Sequence, residues 1–133
     1  MSILPYWEKE FWESLPKNGI VAEVGVESGI QAHERIVPFM NPKKLYLIDA
    51  WEKIEKSFWN SKKSKKATFK LFENKKNVFI IEDFSVKASE QFDDNFFDCV
   101  IFDGSTGYNN FYLDLLCWAP KIKKNGYMIF SNL

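Results

Sequence analysis

The chain has 133 residues with equal numbers of acidic and basic side chains, so its formal net charge is zero. This length suits one domain with a single hydrophobic core. Because there is no overall field that would attract nucleic acid or an anionic membrane, the sequence predicts neither as a partner. Two cysteines outside any CxxC motif, with one histidine, exclude a cysteine–histidine metal quartet and catalysis by a pair of histidines.

The chain carries no signal for export or for insertion into a membrane. Its N-terminus lacks a basic segment followed by an apolar one, and no apolar run is long enough to span a bilayer. Cys99 and Cys117 lie in apolar runs, as expected of buried free thiols in a reducing compartment. We therefore expect a soluble, cytoplasmic protein.

An aromatic stripe opens the chain. Residues 2–15 predict a short helix that carries Tyr6, Trp7, Phe11 and Trp12. The pattern favours a helix packed on the edge of a sheet, and the alternative is a lid over a ligand pocket. The following residues, Pro16 to Gly19, have the composition of a turn.

The first strand and the turn after it form the segment of greatest interest. Residues 20–26 are nearly all apolar, which predicts a parallel strand that is buried on both faces. Gly25 and Gly29 then mark a turn into a helix from about Ile30 to Val37. Glycine allows a ligand to approach the main chain closely, and the free N–H groups of the helix favour a polar or anionic ligand group.

Glu23 lies inside this strand, two residues before the turn. A carboxylate in a buried strand is unfavourable unless another group pairs with it. Neighbouring backbone N–H groups could donate hydrogen bonds to this carboxylate, or it could lie at an end of the strand that solvent reaches. Alternatively, Glu23 faces a cationic ligand or orders the glycine loop that does so. The residue alone leaves these interpretations open.

Asp49 follows the second predicted strand, residues 45–48, and lies about twenty residues after Gly29. At this spacing a doubly wound nucleotide-binding fold places the acid that accepts hydrogen bonds from the two ribose hydroxyls. The alternative is an N-cap for the next helix, since Asp favours that position. The spacing to Gly29 favours ribose.

The remainder of the chain alternates between predicted helices and strands. The predicted helices cover residues 51–72, 86–92, capped by Ser85, and 109–119. The predicted strands cover residues 77–81, 96–102 and 127–130, with a loop over 38–44 and a turn over 123–126. The first of these helices carries a lysine cluster that forms a solvated face or contacts a phosphate-bearing substrate: Lys62, Lys63, Lys65 and Lys66.

This alternation predicts an α/β fold, a doubly wound parallel sheet with helices on both faces. Ligands bind such sheets at the carboxyl ends of the strands. Four candidate residues, Gly25, Asp49, Phe84 and Asp103, lie at those ends. We therefore expect one binding site at this rim of the sheet.

Five segments in this order resemble class I S-adenosylmethionine-dependent methyltransferases, in particular the methyltransferase-domain group that acts on small molecules. The similarity runs from about Leu15 to the last residue. The segments are the E-x-G-x-x-x-G turn at 23–29, then 45–51, 83–85, 97–103 and 120–126. The resemblance implies a single Rossmann-like domain with strand order 3-2-1-4-5, without the two final strands that the family usually has.

The resemblance also implies S-adenosylmethionine as the cofactor. Glu23, Gly25 and Gly29 would line its methionine end, Asp49 would hold the ribose, and Phe84 and Ser85 would flank the adenine. The full set of implied cofactor-binding residues is Glu23, Gly25, Val26, Gly29, Asp49, Ala50, Trp51, Asp83, Phe84, Ser85 and Asp103.

The chain departs from the family after the fourth strand. Many relatives read D-A-D-H-S-Y there, whereas this chain reads D-G-S-T-G-Y over residues 103–108, without the second acid or the histidine. Asp103 and Tyr108 remain the catalytic candidates near the acceptor. Metal-dependent relatives carry Asp-Asn or His-Asp near the end, where this chain has Ser131-Asn132, so we expect no bound metal.

The resemblance implies methyl transfer to a small-molecule acceptor. The alternative is a catalytically inactive module of the same fold that binds the cofactor or a partner. An NAD-dependent dehydrogenase is disfavoured because its turn would follow G-x-G-x-x-G. An exposed fifth-strand edge invites pairing with another chain. Either a homo-oligomer covers that edge, or the chain is a truncated form of a longer protein.

Overall fold

The structure is a computed structural model that describes residues 5–51, 61–103 and 108–130. The first residues of the predicted N-terminal helix, the start of the predicted helix over 51–72, Gly104 to Gly107 and Ser131-Asn132 lie outside the described residues. No helix within the described ranges has the length and apolar character needed to cross a membrane.

Helices and strands alternate along the described chain. The helices are α1 (Tyr6–Glu13), α2 (Val37–Met40, preceded by a π-helical turn, Ala32–Ile36), α3 (Ser61–Phe72), α4 (Ser85–Ser89) and α5 (Tyr108–Trp118). The strands are β1 (Ile20–Val24), β2 (Lys44–Asp49), β3 (Val78–Glu82), β4 (Phe97–Phe102) and β5 (Ile122–Phe130).

The five strands form one parallel sheet in the order β3-β2-β1-β4-β5. This confirms the predicted doubly wound fold and its strand order. In the register of the sheet, Val24 lies opposite Ile48 of β2 and Phe102 of β4. The ends of the three central strands are therefore level, which places the residues that follow them side by side.

Hydrophobic cores cover both faces of the sheet because successive side chains along a strand point to opposite faces. Val21, Leu45 and Ile101 point into one core, together with residues of α1 and α2. Ala22, Val24 and Val100 point into the other, together with Ala88 of α4 and Trp118 of α5. The continuous apolar runs of β1 and β4 follow from this burial on two sides.

The aromatic stripe of α1 does not form one packed face. Trp12 and Leu15 are buried in the first core, whereas 74% of Trp7 is exposed and Phe11 lies at the surface. An ion pair of 2.9 Å between Glu8 and Arg35 links α1 to the helical segment after the glycine turn. Trp12 therefore packs the helix against the core, Leu15 does the same just after the helix ends, and the lid interpretation stays a prediction.

The predicted loop over residues 38–44 is wrong in its first part, because helix α2 runs through Pro38. Proline has no N–H group, and its ring collides with the carbonyl four residues earlier in a regular α-helix. Here the π-helical turn Ala32–Ile36 comes directly before α2. A π turn is wider than an α turn. We infer that it relieves this collision and lets the helix continue to Met40.

The predicted turn over residues 123–126 is instead a bulge inside β5. Phe97 pairs with Ile122 and Cys99 with Tyr127, so four residues of β5 oppose one residue of β4. Gly126 allows the bulge to close, since a Cβ atom there would lie 3.0 Å from the carbonyl oxygen of Asp98. The strand therefore begins five residues earlier than the sequence predicts.

Candidate functional site

Backbone hydrogen bonds join the carboxyl ends of the four neighbouring strands. Gly25 N–H donates to Ile48 O (2.9 Å), Asp103 N–H to Val24 O (2.8 Å), and Asp83 N–H to Asp49 O (3.0 Å). The structure thus brings the segments after β1, β2, β3 and β4 to one rim, which is the arrangement that the sequence predicts.

The glycine turn after β1 has left-handed backbone conformations. Gly25 and Gly29 have φ values of 91° and 83°, and Glu27 between them has a φ of 56°. A Cβ atom at Gly29 would lie 3.3 Å from both Thr68 Oγ1 and the ring of Phe72 on α3. Glycine at position 29 therefore meets two requirements, an unusual φ and a close approach of α3.

Asp49 holds this turn in place. Its Oδ2 atom accepts hydrogen bonds from the backbone N–H groups of Val26 (2.8 Å) and Glu27 (2.9 Å), and its Oδ1 atom accepts one from Trp51 N–H (2.9 Å). An ionised carboxylate offers about four lone-pair positions. Three of these positions accept hydrogen bonds from the backbone. The fourth position could accept one from a ribose, and this role of Asp49 stays a prediction.

Two further side chains hold the turn through the carbonyl of Glu27. That oxygen accepts hydrogen bonds from the indole Nε1–H of Trp51 (2.8 Å) and from the hydroxyl of Thr68 (2.9 Å). Sequence reasoning included Trp51 among the cofactor residues but missed Thr68. The available signal was a threonine four residues before Phe72, on the face of α3 that packs inward.

Glu23 is fully buried in β1. Its Oε2 atom accepts a hydrogen bond of 2.8 Å from the side-chain amide of Gln31, so its partner is neither the backbone nor solvent. Its Oε1 atom has no hydrogen-bond partner among the described residues. Such an acceptor is unfavourable in isolation and suits a ligand that donates to it.

Burial raises the pKa of Glu23 from 4.5 to about 8. The negative charges of Asp103, Asp49 and Glu27 add to this increase, while the hydrogen bond from Gln31 opposes it. Burial also raises the pKa of Glu27, again with contributions from Asp103 and Asp49. The charges of Asp103 and Asp49 therefore act on both glutamates, and this part of the rim suits a cationic group.

The segment after β3 exposes an aromatic ring. Phe84 is 49% exposed, and its N–H donates to Asp83 Oδ1 (2.8 Å). The prediction that Ser85 caps the next helix is wrong, because Phe84 is the N-cap residue and makes no side-chain capping bond. The Ser85 hydroxyl instead donates to Asp114 on α5. Because the Ser85 hydroxyl binds Asp114, it does not cap the helix.

The other predicted residues lie on or next to the rim. Ala50 is buried, and Asp103 is half-buried directly after β4. Tyr108 is the first residue of α5, and its side chain lies outside what the structure describes. Lys65 of the lysine cluster pairs with Glu82 at 2.7 Å. Across the described ranges, no three His, Cys, Asp or Glu side chains are arranged to hold a metal ion.

Comparison with known protein families gives a match to the family described as a methyltransferase domain, over residues 22–133. The chain belongs to this family. The match confirms the resemblance to class I S-adenosylmethionine-dependent methyltransferases, and with it S-adenosylmethionine as the cofactor. No curated protein matches the chain.

Solved structures share the fold of this methyltransferase domain. Precorrin 8W decarboxylase from Methanobacterium thermoautotrophicum has 17% identity and a TM-score of 0.67, with 100% of this chain and 66% of that chain covered. Aeropyrum pernix fibrillarin, solved with natively bound S-adenosyl-L-methionine, has 14% identity and a TM-score of 0.59. The alignment covers 86% of this chain and 46% of the fibrillarin chain.

A candidate rRNA methylase from Clostridium thermocellum has 13% identity and a TM-score of 0.67, with 96% of this chain and 72% of that chain covered. The methyltransferase domain spans 66% of the decarboxylase and 46% of the fibrillarin. At these identities the likeness concerns the fold and says nothing of the acceptor.

Proposed function

We propose that this methyltransferase domain binds S-adenosylmethionine at the carboxyl rim of the sheet and transfers its methyl group to a small-molecule acceptor. One observation carries the proposal. The Oε1 atom of the buried Glu23 has no hydrogen-bond partner in the part of the chain that the structure describes, and the carboxylates of Asp103, Asp49 and Glu27 act on this side chain from the same rim. A buried acceptor in negative surroundings favours a ligand that brings a cation.

The rim suits the chemical groups of the cofactor. Glu23 would accept a hydrogen bond from the ammonium group of its methionine part. The remaining lone pair of Asp49 would accept one from the ribose, and the exposed ring of Phe84 offers an apolar face for adenine. The complete set of proposed cofactor residues is Glu23, Gly25, Val26, Gly29, Asp49, Ala50, Trp51, Asp83, Phe84, Ser85 and Asp103.

The cofactor supplies an activated methyl group on a sulfonium centre, and the chain supplies position and a dry environment. Methyl transfer depends mainly on alignment of the acceptor with the methyl group. Asp103 and Tyr108 are the residues that we place near the acceptor. Asp103 would take a proton from an acceptor that must lose one, since a base helps only in that case.

Titration calorimetry with S-adenosylmethionine, its demethylated product and NAD tests the cofactor. We expect micromolar binding of the first two and no heat with NAD. Glu23→Gln is the matched variant, because it keeps the size of the side chain and removes its charge. It should weaken binding by about tenfold or more, as expected for a hydrogen bond to a charged group.

A panel of hydroxyl and amine acceptors tests turnover. The proposed enzyme methylates at least one of them, whereas a catalytically inactive module binds the cofactor and methylates none. That second candidate is favoured by one observation, the lack of a histidine in the segment from Asp103 to Tyr108. Replacing Asp103 by Asn should then reduce kcat more than it changes the affinity for the cofactor.

We propose a small molecule rather than nucleic acid as the acceptor because the net charge is zero. Methylation of added RNA fragments would contradict this. We also propose that the β5 edge pairs with a second copy in a homo-oligomer, since an edge strand offers unpaired backbone groups. Analytical ultracentrifugation of the wild type and of Tyr127→Lys, which adds a charge at an exposed position of β5, tests that contact.

A further inference from the structure

Gln31 holds one of the two oxygens of the buried Glu23 carboxyl group. Its side-chain amide donates a hydrogen bond of 2.8 Å to Oε2, while Oε1 has no partner across residues 5–51, 61–103 and 108–130. Glu23 lies in β1, and Gln31 has a helical backbone just after Gly29. The contact therefore crosses the glycine turn, and it fixes the rotation of the carboxyl group so that one oxygen stays open to a ligand.

This donor is an amide, which carries no charge. A lysine or arginine donor would form an ion pair with Glu23 and neutralise the charge that attracts a cationic ligand. Burial is the largest effect on the pKa of Glu23 and raises it, as do the charges of Asp103, Asp49 and Glu27, whereas the hydrogen bond from Gln31 lowers it. Among the described residues that act on Glu23, Gln31 is thus the one that favours the ionised form.

The same hydrogen bond determines where the proton of a neutral Glu23 lies. A protonated carboxyl group has one oxygen that donates and one that only accepts. Because Oε2 accepts from Gln31, the proton is placed on Oε1, for which the described chain offers no partner. When an ammonium group binds at Oε1, the O–H bond breaks, the proton passes to the buffer, and the carboxylate pairs with the ammonium.

We propose that Gln31 is a positioning residue that directs Glu23 Oε1 to the ligand and thereby makes the site select ligands with an ammonium group. This rests on the function proposed above, in which Glu23 binds the ammonium group of the methionine part. Gln31 acts only through Glu23. Without its amide, Glu23 releases its proton less readily and its carboxyl group is free to rotate away from the ligand.

The test compares two ligands by titration calorimetry between pH 6.5 and 8.5. They are S-adenosylhomocysteine and its deaminated analogue, in which a hydrogen atom replaces the amino group. At pH 8 we expect the wild type to prefer S-adenosylhomocysteine by about tenfold or more, the value of one hydrogen bond to a charged group. Gln31→Met keeps the length of the side chain and removes the donor, so it should lose most of this preference.

The pH dependence gives a second readout, which a purely structural role of Gln31 would not change. The preference of the wild type should increase with pH as Glu23 ionises, because the pKa of this carboxyl group is raised to about 8. In Gln31→Met the hydrogen bond that lowers this pKa is lost. The increase should therefore occur at a higher pH than in the wild type.

Arg35→Met is the matched control, since it places the same side chain on the same helical segment. Arg35 pairs with Glu8 of α1 at 2.9 Å, so this variant should keep the preference and its pH dependence. Thermal unfolding of each variant shows whether it folds. If Gln31→Met is unstable, Gln31→Asn tests the same contact, because its amide is one methylene shorter and is drawn back from Glu23.

The outcomes separate this inference from the function on which it rests. If neither ligand binds the wild type, the proposed function fails and this inference fails with it. If both bind the wild type equally, or if the Gln31 variants weaken both ligands by the same factor, the inference alone is overturned. A loss of preference that is confined to the Gln31 variants, with the shift to higher pH, supports it.

Discussion

The carboxylate of Asp49, at the end of β2, accepts a hydrogen bond of 2.8 Å from the backbone N–H of Val26 in the glycine turn. The residue predicted to bind a ribose thus also holds the turn that is predicted to bind the methionine part. We therefore expect Asp49 to contribute to the stability of the fold as well as to the proposed binding of the cofactor.

Replacing Asp49 by Ala should destabilise the ligand-free protein. Three backbone N–H groups, of Val26, Glu27 and Trp51, would lose their acceptor. We expect the free energy of unfolding to fall by about 2 kcal/mol or more, since each buried unsatisfied donor costs about 1–3 kcal/mol. Urea denaturation measures this.

Asp49→Asn is the control for that variant. Its amide oxygen can still accept from Val26 and Glu27, while its amino group faces the Trp51 N–H, so the loss should be about half as large. A ligand-free Asp49→Ala variant as stable as the wild type would show that Asp49 serves only in ligand binding.

Thr68→Val should also destabilise the turn. The change replaces the hydroxyl by a methyl group of similar volume, so the carbonyl of Glu27 loses one hydrogen bond and keeps the one from Trp51. We expect a loss of about 1 kcal/mol in the free energy of unfolding. Thr68→Ser, which retains the hydroxyl, should lose less. Equal stability of the Val variant and the wild type would mean that Trp51 alone satisfies this carbonyl.

The stability of the ligand-free protein should decrease as the pH rises, to the extent that Glu23 controls it. The pKa of Glu23 is raised from 4.5 to about 8, so the folded protein binds a proton that the unfolded chain releases. This contribution is fully present below pH 4.5 and is lost as the pH approaches 8. Its slope is at most about 1.4 kcal/mol per pH unit.

Glu23→Gln isolates that contribution because glutamine does not titrate. Denaturation curves at several pH values between 5 and 8 would give the difference between the two proteins at each pH. The stability of the variant should rise relative to the wild type across this interval. A constant difference would show that Glu23 is already ionised in the folded protein.

The sequence contains enough information for the fold but not for several contacts in the site. Alternating apolar runs and glycine turns predict the sheet because they report burial on two faces. Spacing places Asp49 at the rim but does not show that its oxygens face Val26 and Glu27. Those partners come from another strand end, and only the three-dimensional arrangement brings them together.

The incorrect predictions have a related cause. Ser85 has the sequence signature of a helix cap, but Asp114, 29 residues away, competes for its hydroxyl. Pro38 predicts a helix end, but a π-helical turn before it allows the helix to continue. In both cases a contact or a geometry outside the local window prevails over local propensity.

Proton release on ligand binding tests the central claim most directly. The experiment is calorimetry with S-adenosylhomocysteine at pH 6.5, in buffers of different ionisation enthalpy. Glu23 is neutral in the folded protein at this pH, so it must release its proton to pair with the ammonium group of the ligand. We predict that the wild type binds and releases about one proton, and that Glu23→Gln binds more weakly and releases none. Absence of binding, or equal proton release by both proteins, would contradict the account.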